Sequence, residues 1–237
     1  MQFPNAANGS GKIFVGEVLA LIFAICSGVA VALAAFAVST VNNASDALSS
    51  GDAGAIADAL ESAADASAVA TGSILGSGAL ILIGAIVGLI GFILVMVGCG
   101  QAGKDESSFK TALIVYVIII ALTAVGSFIA RGNNTISLIV NTATTFCSIY
   151  AFFLIITGFK NLATNLGNTE IAQKGESITK IVCALMVAAI VLNFISSLIG
   201  GTIGGILALV GIIVSIVYYI IFIGYVGKGK NMLKGLS

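Results

Sequence analysis

Long apolar runs alternate with short polar connections along this chain of 237 residues. A helix needs about 20 predominantly apolar residues to cross a hydrocarbon core of roughly 30 Å. Residues 13–38, 74–97, 111–130, 136–157, 178–199 and 203–226 each meet that requirement. The pattern predicts an all-α, polytopic transmembrane bundle of about six spans, forming one integral membrane domain over residues 1–237. Lipid offers no partner to backbone N–H and C=O groups, so each span must satisfy its own. The β-branched run 115–120 would favour a strand in water and is expected to be helical here. The apolar run after Lys12 is too long for a cleavable signal peptide and reads as a retained first span.

One connection is long. Residues 41–72 are rich in Ala, Ser and Asp and carry no basic residue. Asp52 reads as an N-cap for an amphipathic outer helix running to about Ala70. On it Asp58, Glu61 and Asp65 share one face, an acidic cap that would attract cations, while Ile56, Leu60 and Ala64 share the other.

Composition supports lipid as the solvent. The chain is 59% hydrophobic and 8% charged, with a mean hydropathy of +1.15, whereas soluble domains carry about 25% charged residues. Formal net charge is zero, which leaves no electrostatic footprint for nucleic acid. The chain contains no His, which removes the commonest general base and metal ligand. No nucleophile–base pair or metal cluster can be assembled, so no enzyme activity, cofactor or metal is expected. Cys26, Cys99, Cys147 and Cys183 lie far apart and read as small buried hydrophobes.

The basic residues orient the spans. Lys12, Lys104, Lys110, Lys160, Lys174, Lys180, Lys228, Lys230 and Lys234 fall on one side of the predicted topology, and Arg131 alone on the other. By the positive-inside rule this makes a multi-pass protein of the cell membrane with both termini cytoplasmic.

Hydrophobic burial cannot draw helices together in lipid, so small residues and polar groups must. Gly16, Ala20, Ala24, Gly28 and Ala32 recur at four-residue spacing on the first span. Gly84, Gly88, Gly91 and Gly98 form a second stripe, and Gly200 and Gly204 open the sixth span. These are candidate packing positions within the chain, or against a second membrane subunit or another copy. Glu17 is the one ionisable residue inside a predicted span, and intramembrane charges are pointers to function. Lys12 is expected to form an interfacial ion pair with it; the alternative is a proton-handling carboxylate. On the fourth span Asn141, Thr144, Thr145 and Ser148 share a face, as Asn193, Ser196 and Ser197 do on the fifth. Asn141, Ser148, Asn193 and Glu17 are the candidate substrate pathway, the alternative being hydrogen bonds between helices.

Gly98 to Lys104 match the first seven positions of a phosphate-binding loop, but Asp105 stands where Ser or Thr should meet Mg²⁺. The motif follows an apolar span rather than a strand, and phosphate binding is not expected. Asn43 and Asn133 begin glycosylation sequons on the outer side. In outline the pattern is similar to the substrate-binding subunits of vitamin-importing energy-coupling-factor transporters: about six helices, a cytoplasmic N-terminus, an outer loop after the first helix, and the small-residue stripe from Gly16 to Ala32. That similarity includes no ligand motif. The reading is a transporter or channel component in the lipid bilayer, or else a non-catalytic accessory subunit.

The topology makes a direct prediction. Single cysteines at Ser50 and Ser237, in a background lacking native Cys, are expected to react with an impermeant reagent from opposite sides. Labelling from the same side would refute the six-span arrangement.

Overall fold

The computed structural model describes residues 3–50, 79, 81–129, 134–199 and 201–235. Side chains are described for these except at 31–50, 134–135, 137–138, 193–194, 197–198, 201–205 and 208. The chain is all-helical: α1 (Pro4–Ser50), α2 (Ile81–Ala102), α3 (Ser107–Ile129), α4 (Asn134–Asn165), α5 (Thr169–Ile199) and α6 (Gly201–Lys234), with no strand among the described residues. All six are long and apolar enough to cross a membrane, so this is a polytopic membrane protein.

One expectation about connections needs correction. Residues 41–50, read as the start of a loop, continue α1 as helix. The acidic segment with Asp58, Glu61 and Asp65 lies outside the described residues. Residues 158–177, which lie between the fourth and fifth predicted spans, are also largely helix, leaving a turn at 166–168. On α5 Lys174 and Lys180 pair with Glu170 and Glu176 at i, i+4, with the acid on the N-terminal side. The remaining turn is a helix cap. Gly167 adopts φ 69°, Asn168 N–H donates to Ala163 C=O at 2.8 Å, and Gly167 N–H donates to Thr164 C=O at 3.0 Å. Asn168 Oδ1 then accepts the Ile171 amide at 3.1 Å and starts α5.

The turn between α2 and α3 ties three helices together. Asp105, the residue that spoils the phosphate-loop motif, accepts the Ala6 amide at 2.7 Å and Asn5 Nδ2 at 2.8 Å. Its carboxylate thus neutralises an open N–H in the first turn of α1, where the helix dipole favours negative charge. Glu106 caps its own helix through the Ser108 amide and hydroxyl, and also accepts Asn161 Nδ2 of α4 at 3.0 Å.

By its contacts the chain divides into two compact units: Met1–Val18 with Ile90–Ser237, and Leu19–Leu89. In the first, the buried core gathers at the lysine-rich end, around Ile13, Cys99, Phe109, Ile155, Phe159, Phe222 and Val226. Here α5 packs on α6 and α3 on α4, while α4 also touches α5 and α6. Within this unit α1 and α2 meet backbone to backbone. A Cβ at Gly9 would stand 2.5 Å from Gly98 C=O, one at Gly98 would stand 2.7 Å from Gly9 C=O, and one at Gly16 would stand 2.5 Å from Gly91 C=O. In the second unit, Gly84 and Gly88 of α2 receive the Phe23 ring of α1. Ala24, by contrast, is exposed. Four-residue spacing advances about 40° per step on a helix of 3.6 residues per turn, so the predicted ladder drifts off any single face. Gly9, Ile13, Gly16, Phe23 and Cys26 of α1 meet α2, and the side chain of Ala32 lies outside what is described. Gly200 and the packing of Gly204 lie outside what is described.

Two neighbouring glycines should therefore respond differently. Gly9→Ala is expected to destabilise the protein by about 1–3 kcal/mol through overpacking. Nothing lies within 4 Å of a Cβ at Gly11, so Gly11→Ala should be neutral, or stabilising by up to about 1 kcal/mol. Thermal unfolding in detergent measures both.

Candidate functional site: a buried carboxylate among phenols

Glu17 is 2% exposed, although it belongs to a helix built for lipid. Water cannot satisfy a carboxyl group there, so other helices must. Tyr116 of α3 donates its hydroxyl to Oε1 at 3.5 Å, and Tyr219 of α6 donates to Oε2 at 2.5 Å. Each oxygen therefore has its own phenol, and the group links three helices.

The expected ion pair with Lys12 does not form. Five residues along a helix place two side chains about 140° apart, and Lys12 lines a surface cleft instead.

The phenols are held by edge-to-face aromatic contacts. Tyr116 meets Phe92 of α2 at a centroid distance of 5.5 Å, and Tyr219 meets Phe152 of α4 at 5.4 Å. Phe152 in turn meets Phe222 at 4.6 Å. A second aromatic layer follows, with Phe109 against Phe159 at 5.2 Å and Phe159 against Tyr225 at 6.4 Å. Gly158 opens the space for Phe109, and Gly229 that for Phe159. Such geometry contributes about 0.5–1.5 kcal/mol per pair beyond burial, and fixes where each hydroxyl can reach.

Reading polar residues alone misses these aromatics. The signal lies in their spacing: Phe109 and Tyr116 are seven apart on α3, as are Phe152 and Phe159 on α4, while Tyr219, Phe222 and Tyr225 recur every three residues on α6. These periods put each set on one helical face.

The other candidate pathway residues are placed differently. Asn141 is exposed on α4. Ser148 is partly buried, and its hydroxyl donates to Thr144 C=O at 2.9 Å within its own helix. Thr145 does the same to Asn141 C=O at 2.8 Å, as do Thr123, Ser127, Thr179 and Ser215 four residues back on their helices. The side chain of Asn193 is outside what is described. Neither Asn141 nor Ser148 thus joins Glu17. The four cysteines are free, with Cys99 buried and the others partly so. Among the described residues no group of three or more His, Cys, Asp or Glu is arranged to hold a metal ion.

No protein-family model, no curated protein and no solved structure matches this chain.

The clasp predicts strong coupling. Tyr219→Phe is expected to cost about 1–3 kcal/mol by stripping one oxygen of its donor. In a Glu17→Leu background the same change should cost much less, whereas Tyr150→Phe, at an exposed position, should be silent in both. Thermal unfolding of the four-member cycle reads the coupling.

Proposed function

We propose that the protein is a component of a membrane transport system in which Glu17 takes up and releases a proton. The supporting observation is the carboxyl group itself: buried in an apolar bundle and partnered by two phenols rather than by a cation. Ionisable groups in membrane helices are costly, and pump and transporter proton relays are among their recurrent uses. A phenol both donates and accepts, so the site accommodates either protonation state. The ionised carboxylate accepts from both tyrosines; the neutral acid donates its own proton to one phenol oxygen. Protonation removes the charge that strengthens both ties holding α1 to α3 and α6, which couples proton occupancy to helix position. This reading takes the lysine-rich end as cytoplasmic, from the nine-to-one asymmetry of basic residues.

A second reading, a non-catalytic accessory subunit, is favoured by the exposure of Asn141 and by the Ser and Thr hydroxyls turned back onto their own helices.

Proteoliposomes carrying an internal pH indicator and a potassium diffusion potential distinguish the two. The parent chain is expected to pass protons, Glu17→Gln to abolish the flux, and Asn141→Ala to leave it unchanged. Flux that survives Glu17→Gln, or a parent that passes none, would overturn the transport reading, the latter in favour of the accessory subunit.

A further inference from the structure

A cleft of about 390 Å³ opens between the first turns of α1, the last turn of α6 and the middle of α2, a size at the small end of ligand sites. Its basic members are Lys12, Lys230 and Lys234, its apolar wall includes Val15 and Leu94, and no carboxylate among the described residues lines it. Gly11 also lines it, and a Cβ there would meet nothing within 4 Å. Lys230 is positioned: its Nζ stands 4.3 Å from the centroid of the Phe14 ring, and Gly227 brings α6 close to that same ring.

We infer that this cleft binds the headgroup of an anionic phospholipid. The lysines that line the cleft match a phosphate in charge, and basic pockets between membrane helices at the positively charged end are a recurrent form of headgroup site. The apolar flank is what selects a lipid over a free anion. On α1 Val15 lies about one turn further along the helix than Lys12, toward the middle of the span, and Leu94 of α2 lines the same cleft, so an acyl chain continues along them while the phosphate stays at the interface. Glu17 takes no part in this site, and the proposal stands independently of proton transport.

The test uses the full chain in nanodiscs containing equal parts of phosphatidylcholine and phosphatidylglycerol, released into native mass spectrometry. The parent is expected to retain phosphatidylglycerol in preference to phosphatidylcholine. The Lys12→Gln/Lys230→Gln variant should retain about tenfold less or lower still, since each lysine near an anionic surface contributes appreciably. A charge-matched control, Lys104→Gln/Lys110→Gln, should retain as much as the parent. Gly11→Phe places a ring in the lining with every lysine intact and should also displace the lipid, so the result does not depend on one variant's folding. Equal loss in both lysine variants would reduce the effect to surface charge and overturn the proposal. Equal retention of the two lipids, or displacement of phosphatidylglycerol by millimolar inorganic phosphate, would overturn it too, the latter in favour of a free-anion site.

Discussion

The carboxyl group of Glu17 sets the constraint on which the arrangement of helices around it depends. In lipid it has no solvent, and leaving a buried polar group unpartnered costs about as much as several packing contacts contribute. Satisfying it takes one phenol from α3 and one from α6. Those phenols must arrive at a fixed depth and orientation, which the edge-to-face contacts of Phe92, Phe152 and Phe222 provide. Register among α1, α3 and α6 is thereby specified by a polar contact, with the aromatic layer as its support.

The same scarcity of solvent explains the rest of the polar chemistry. Hydroxyls on α3, α4, α5 and α6 bond back to carbonyls of their own helices, where a partner is always within reach. Such bonds satisfy the group and specify nothing between helices. Specification falls instead to a few residues at the lysine-rich end. Asp105 caps α1 from the α2–α3 turn, and Glu106 reaches Asn161 of α4. Both act where connections are short, so each ties distant parts of the chain through little flexible backbone.

Glycine supplies the other half of the assembly. Between Gly9 and Gly98 the helices approach until carbonyl oxygens occupy the space of side chains. Dispersion and weak polar contacts then replace the hydrophobic drive that lipid removes. The outward faces remain apolar, as Leu82, Phe128 and Ile139 illustrate, because lipid rather than water covers them.

Helical spans, their number and their ordering followed from the sequence alone, because apolar length and backbone self-sufficiency are local properties that no tertiary contact alters. Glu17 was conspicuous for the same reason: a single charge in an apolar run is anomalous wherever the run folds. What surrounds it was decided only in three dimensions. Tyr116 and Tyr219 lie 99 and 202 residues away, and their local spacing marks an aromatic face without showing that it meets Glu17. Likewise Asp105 read as a defect in a phosphate loop until the first turn of α1 came within 2.7 Å of it. The small-residue ladder that begins at Gly16 was visible in one dimension, yet it did not show that Gly16 faces Gly91, that Ala24 is exposed, or that Gly9, Phe23 and Cys26 share the contact with α2. Which face meets a neighbour depends on where that neighbour stands, and that is set by distant polar contacts such as those to Glu17 and Asp105.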